Sequence, residues 1–219
     1  MNRSEVLQRI VDVGIIPVVR GTSSEDALLA AEAVSKGGIP IVEITMTVPG
    51  AIEAIRELAR QRGTEMLIGA GTVLDVQTAR RCLEAGAQFL ASPGLDLDTV
   101  RLARSQGTVI FAGALTPTEV IAAWRAGSDF VKVFPCNAVG GARYIASLKG
   151  PLPDIPLVPS GGVSLETAPE LLRAGSAALA VGGELLDAAA IRSRQLDSIT
   201  QNARRFISLV QKARQAARP

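Results

Sequence analysis

Residues 107–135 read GTVIFAGALTPTEVIAAWRAGSDFVKVFP, and this stretch decides the fold. An apolar run, Val109 to Ala114, leads into Thr116, Pro117, Thr118 and Glu119. That quartet is an N-cap threonine, a proline at the first helical position and a glutamate placed to close a capping box. The predicted helix stops at Gly127, and a second apolar run, Phe130 to Pro135, follows. Short, uniformly apolar runs are strands buried on both faces, which is a property of parallel sheets; strand, helix, strand is the unit that builds them.

The same unit recurs on either side. Gly37, Gly63, Gly86, Gly107, Gly127, Gly150 and Gly175 each end a helix-like stretch ahead of an apolar run. They recur at intervals of roughly 20 to 26 residues, about one strand plus one helix, and read as left-handed helix C-caps. The predicted strands are Ile15–Arg20, Ile39–Met46, Met66–Val73, Gln88–Ser92, Val109–Ala114, Phe130–Pro135, Leu157–Ser160 and Ala177–Gly182. Ser23 and Asp26 predict a second capping box, and Ile52, Ile55, Leu58 and Ala59 an apolar helical stripe. Eight alternating units favour an α/β fold of the closed (β/α)₈ TIM-barrel type over an open doubly wound sheet, as one domain over residues 1–219. Arg3 to Val13 predicts an extra N-terminal helix across the barrel floor. Ser193 to Arg218 predicts a C-terminal helix that packs through Leu196, Ile199, Ala203, Phe206 and Val210, with Arg204, Arg205, Lys212, Arg214 and Arg218 on a solvated basic face.

The chain has 219 residues, 47% hydrophobic and 20% charged, enough for one full core. It has no histidine, which excludes Ser/His/Asp triads, Cys/His dyads, imidazole acid–base catalysis and His-based metal sites. A net charge of +2 with 3% aromatic residues argues against a nucleic-acid partner. Cys82 and Cys136 do not make a disulfide scaffold or a cysteine metal site, so a reducing cytoplasm is the expected setting. The first residues lack the apolar core of a signal peptide, and no run approaches a membrane span.

In a barrel the reactive groups sit at the C-terminal ends of strands, so polar residues that interrupt the apolar runs there carry the chemistry. Four do: Arg20, Glu43, Thr72 and Lys132. Lys132 lies within FVKVFP, where an ammonium is costly unless paired. Desolvation favours the neutral amine, the form that attacks a carbonyl to make a Schiff base. Lys36, Lys149 and Lys212 read instead as surface cations near helix C-termini. Glu43 is the matching carboxylate, placed either to neutralise Lys132 or also to shuttle its protons. Arg20 offers a planar fork for a substrate carboxylate, or a salt bridge at a strand end. Ser160, Gly161 and Gly162 after the seventh strand, with Gly182 and Gly183 after the eighth, occupy the two loops where barrels commonly hold phosphate; Glu184 directly after them is unwelcome beside that anion.

VEIT, GAGTV, SPG, TPTE, FVKVFP and PSGG occur in that order along the chain. With these motifs the chain resembles the class I 2-keto-3-deoxy-6-phosphogluconate (KDPG) / 4-hydroxy-2-oxoglutarate (KHG) aldolase family over nearly its whole length. The resemblance implies a metal-free lyase with no cofactor, which cleaves a keto acid to pyruvate and an aldehyde, commonly glyceraldehyde 3-phosphate or glyoxylate. It implies Lys132 as Schiff-base lysine and Glu43 as general acid–base, with Thr72, Pro93 and Phe134 at the pyruvate end and the glycine pairs on phosphate. It also implies a homotrimer. Where some members carry arginine four residues after the glutamate this chain has Thr47, which stays in the substrate-binding set while Arg20 takes the carboxylate. Many members have a hydroxyl residue where this chain has Glu184, which leaves a nonphosphorylated aldehyde open. Two alternatives remain beside the aldolase: a phosphate-binding barrel isomerase or transferase, and a non-catalytic keto-acid-binding barrel.

Overall fold

Every residue of the eight strands is buried, so each strand is covered on both sides, as the apolar runs require. In the computed structural model, which describes residues 1–216, they are β1 (Ile15–Val19), β2 (Ile41–Thr45), β3 (Leu67–Gly71), β4 (Phe89–Ala91), β5 (Val109–Ala114), β6 (Phe130–Val133), β7 (Leu157–Pro159) and β8 (Leu179–Val181). All pairings are parallel, in the order β7-β6-β5-β4-β3-β2-β1-β8. The ring closes between β7 and β8 through a single bridge, Ser160 to Ala180, and the Ala177 N–H donating to the Leu157 carbonyl at 2.9 Å. This is the expected (β/α)₈ barrel, with β5 as long as its apolar run and the other strands shorter than theirs by one or two residues at one or both ends.

Alternating with the strands are α2 (Ser24–Lys36), α3 (Ala51–Arg62), α4 (Val76–Glu84), α5 (Leu97–Ser105), α6 (Pro117–Arg125), α7 (Ala142–Lys149) and α8 (Ala168–Arg173). The α6 capping box forms as its sequence demands: Thr116 accepts from the Glu119 N–H, and Glu119 accepts from the N–H groups of Thr116 and Leu115. The second box does not close. Ser23 accepts from the Asp26 N–H, but the Asp26 carboxylate turns to the Thr22 N–H and hydroxyl, a shorter reach for an aspartate. Gly86, Gly107, Gly127 and Gly175 are left-handed as expected, whereas Gly37, Gly63 and Gly150 have φ of −80°, −62° and −53°. Gly37 serves close approach instead: a Cβ there would lie 2.3 Å from the Ala203 methyl of the C-terminal helix. Lys149 likewise departs from a plain surface cation, since it donates to the carbonyls of Pro153 and Ile155 and ties down the loop into β7.

Helix α1 (Arg3–Val13) crosses the N-terminal end of the barrel. Val6 and Ile10 face inward, Arg3 pairs with Asp129 ahead of β6, and Arg9 donates to the Glu65 carbonyl ahead of β3 at 2.7 Å. After the short α9 (Ala188–Arg192), which the sequence reading did not anticipate, α10 (Leu196–Ala216) packs by Ile199, Ala203, Phe206 and Val210, with Arg204 and Arg205 exposed. Arg214 departs from the basic solvated face: it donates to the carbonyls of Asp12 at 2.5 Å and Ala177 at 3.4 Å, locking α10 to the floor. Arg218 lies outside the described residues. Among the described residues no helix is long and apolar enough to cross a membrane.

Candidate active site

β2 and β6 stand on opposite sides of the ring, and their inward side chains meet across it. The Lys132 ammonium donates to both Glu43 oxygens, at 3.1 and 3.5 Å, and the two residues are 6% and 2% exposed. Two strand glycines make this possible. A Cβ on Gly71 would lie 2.0 Å from Glu43 Oε1, so the carboxylate occupies the space that any other residue there would fill. On β5, Gly113 pairs with Lys132, and a Cβ on it would lie 2.1 Å from the Pro93 carbonyl carbon; the loop carrying Pro93 therefore closes onto the strand, and the Gly113 N–H donates to the Gly94 carbonyl.

Around this pair the mouth is shaped by hydroxyl residues. Thr72 has φ of +57°, an outlier for a β-branched residue, held by the Met46 N–H on the Gly71 carbonyl and the Val73 N–H on the Ala91 carbonyl. Such enforced strain is characteristic of functional positions. Thr47 is exposed and shares a 2.7 Å hydrogen bond with Thr45, whose hydroxyl also contacts the Val19 carbonyl at 2.9 Å. Thr45 was missed by the sequence reading although it sits two residues past Glu43 and hence on the same face of β2.

A cavity of about 200 Å³ opens beside the pair, lined by Val18, Arg20, Phe134, Ser160, Val163, Ala180, Glu184 and the two glycine pairs. Val18 is the β1 partner of Glu43, and Phe134 lies two residues beyond Lys132, so the wall runs from the reactive groups to the glycine loops. Arg20, Phe134, Ser160 and all four glycines are thus brought together, while Thr47, Thr72 and Pro93 lie outside this cavity, at the β2 to β4 side. Arg20 is exposed and takes no part in any ion pair among the described residues, so the strand-end salt bridge does not form. Gly162 has φ of +70° and a Cβ on it would lie 2.4 Å from that of Asn137, in the turn Cys136–Val139, which lines a neighbouring cavity of about 240 Å³ behind Gly161 and Gly162. Gly182 and Gly183 differ: a Cβ on either would meet nothing within 4 Å. Lys132 and Glu43 do not themselves line the cavity of about 200 Å³, which reaches them through Val18 and Phe134; larger clefts of about 430 to 730 Å³ lie between outer helices and at the floor, away from the C-terminal strand ends.

Burial pushes the thiols of Cys82 and Cys136 up to about 11, which leaves both as inert thiols at neutral pH. Among the described residues no three His, Cys, Asp or Glu side chains gather as a metal-ligand group.

Fold and site together define a (β/α)₈-barrel enzyme with a buried lysine–carboxylate pair at its mouth. A family model described as KDPG and KHG aldolase matches residues 6–202, and the chain belongs to that family. It is 35% identical to a 2-dehydro-3-deoxy-phosphogluconate aldolase of Treponema pallidum, over 94% of this chain and 96% of that one. It is 31% identical to a 2-dehydro-3-deoxy-6-phosphogalactonate aldolase of Escherichia coli, over 91% and 95%. Among solved structures, a KDPG aldolase from Legionella pneumophila with pyruvate captured as a covalent carbinolamine superposes with a TM-score of 0.84 at 28% identity, covering 93% of this chain and 97% of that one. The protein is an aldolase, an aldehyde-lyase for KDPG-type substrates.

Proposed function

We propose that this chain is a class I aldolase in which Lys132 forms the Schiff base and Glu43 moves the protons. The substrate is a 2-keto-3-deoxy sugar acid, with or without a 6-phosphate, or 4-hydroxy-2-oxoglutarate; the products are pyruvate and an aldehyde such as glyceraldehyde 3-phosphate or glyoxylate. The observation that carries this reading is the buried 3.1 Å contact between Lys132 and Glu43.

The contact supplies the first step. The ammonium passes its proton to Glu43, and the neutral amine adds to the C2 ketone. Glu43 returns the proton to the carbinolamine oxygen, which leaves as water to give the iminium. Deprotonation of the C4 hydroxyl then breaks the C3–C4 bond; its electron pair flows into the iminium as an enamine and the aldehyde departs. Protonation at C3 and addition of water release pyruvate and restore the amine. Nothing in this sequence calls for a metal or an organic cofactor, and activity is expected to survive EDTA.

Arg20 presents a two-pronged donor to the substrate C1 carboxylate. Thr47, Thr72, Pro93 and Phe134 form the pyruvate end. Ser160, Gly161, Gly162, Gly182 and Gly183 receive the far end of the chain, which carries phosphate in substrates of the named relatives, through backbone N–H groups. The working form is a cytoplasmic homotrimer; assembly is supported by Leu74 on the β3–α4 connection and Leu97 at the start of α5, which are 60% and 45% exposed and offer apolar surface for another copy.

Incubation with pyruvate and borohydride, followed by peptide mass spectrometry, tests the chemistry. The expected result is a reduced pyruvate adduct on Lys132. Its absence overturns the aldolase mechanism, and would equally mark a barrel that only binds keto acids.

A further inference from the structure

Of the residues lining the 200 Å³ cavity only two are charged, Arg20 and Glu184. We infer that Glu184 sets the aldehyde specificity, so that the enzyme prefers a keto acid whose far end is an uncharged polyol over one ending in phosphate or carboxylate. This rests on the aldolase reading given above.

Charge balance carries the inference. A 2-keto-3-deoxy sugar acid brings one negative charge, its C1 carboxylate, and Arg20 neutralises it. With Arg20 so engaged, Glu184 is the remaining charge on the wall. A 6-phosphate adds about −1.5 to −2 at neutral pH beside that carboxylate, and 4-hydroxy-2-oxoglutarate adds a second carboxylate in the same place. Donor and acceptor matching points the same way. The glycine loops offer N–H donors, and Glu184 is an acceptor when ionised. A sugar hydroxyl both accepts and donates, so it satisfies the loops and Glu184 at once, whereas a phosphate dianion has no proton for Glu184. Gly182 and Gly183 sharpen the point, because neither a positive φ nor a neighbouring atom within 4 Å demands glycine there. Their missing side chains leave open space for the substrate's end directly beside Glu184.

The test compares kcat/KM for 2-keto-3-deoxygluconate, its 6-phosphate and 4-hydroxy-2-oxoglutarate in the wild type and in Glu184→Gln, an uncharged isostere at an exposed position. The wild type is expected to favour the unphosphorylated acid by about tenfold or more, and Glu184→Gln to move the ratio toward the phosphorylated acid by a similar factor. A wild type that prefers the phosphate ester, or a ratio that Glu184→Gln leaves in place, overturns the inference while pyruvate trapping on Lys132 still stands. Loss of trapping in the wild type overturns the aldolase reading and this inference with it.

Discussion

At one end of the active site, Lys132 and Glu43 are side chains held inside strands, fixed by burial and by each other. At the other end, the loops after β7 and β8 offer mostly backbone, with glycines where a side chain would intrude. The difference fits the work proposed for each end. Covalent and proton chemistry needs particular functional groups at fixed distances, which strands supply with little freedom. Holding the oxygens of a variable aldehyde needs only donors and room, and a peptide backbone provides both.

Substitutions can break this contrast at either end. Lys132→Met is expected to lower kcat by about 10⁴-fold or more and abolish borohydride trapping; it also leaves Glu43 buried without a partner, so unfolding by urea should show a loss of about 3 kcal/mol. Gly71→Ala comes next. It changes no functional group, yet its methyl would take the position of the Glu43 carboxylate, and a drop in kcat of about 10²-fold is expected from steady-state assay. Near-normal turnover in that variant would show that the pair tolerates displacement.

The glycine end divides against itself. Gly162→Ala must hold alanine at φ of +70° against Asn137, and a stability loss of about 2 kcal/mol is expected in a denaturant titration. Gly183→Ala meets no such obstacle, so its stability should stay within about 0.5 kcal/mol of wild type while KM for the keto acid rises by about fivefold. A Gly183→Ala protein as unstable as Gly162→Ala would erase the distinction between glycine needed by the fold and glycine needed by the ligand.

The smallest effect lies outside the site. The backbone N–H groups of Thr116 and Leu115 hold the Glu119 carboxyl below the usual carboxylate range. A group depressed in the folded state stabilises above its unfolded value and loses that contribution as pH falls through the folded one. Glu119→Gln should therefore cost a little stability at neutral pH, converge on the wild type in acid, and so flatten part of the acid limb of a pH–stability curve.

Much of this was legible in the sequence for a physical reason. An ionisable residue in a run such as IVEIT or FVKVF contradicts its surroundings, and only a partner or a reaction resolves the contradiction. The barrel was legible because a parallel strand covered on both faces leaves an unbroken apolar run. What escaped is non-local. That Gly71 clears space for Glu43, that Gly37 admits Ala203, and that Arg20 shares a cavity with glycines more than 140 residues away depend on which strands become neighbours. The closing of one capping box and not the other turns on side-chain reach: Glu119 spans back to its cap, and Asp26 finds Thr22 first.

The bridge between Ser160 and Ala180 has one more consequence. Both residues also line the cavity, so the joint closed by a single isolated bridge lies under the site proposed for the substrate. A molecule touching both loops acts as a clasp across that joint, and at a concentration of 100 times Kd it adds about 2.7 kcal/mol to the closed ring. Amide exchange along β7 and β8 thus becomes a gauge of occupancy, fast in the empty barrel and slowed when the keto acid draws the two strands together.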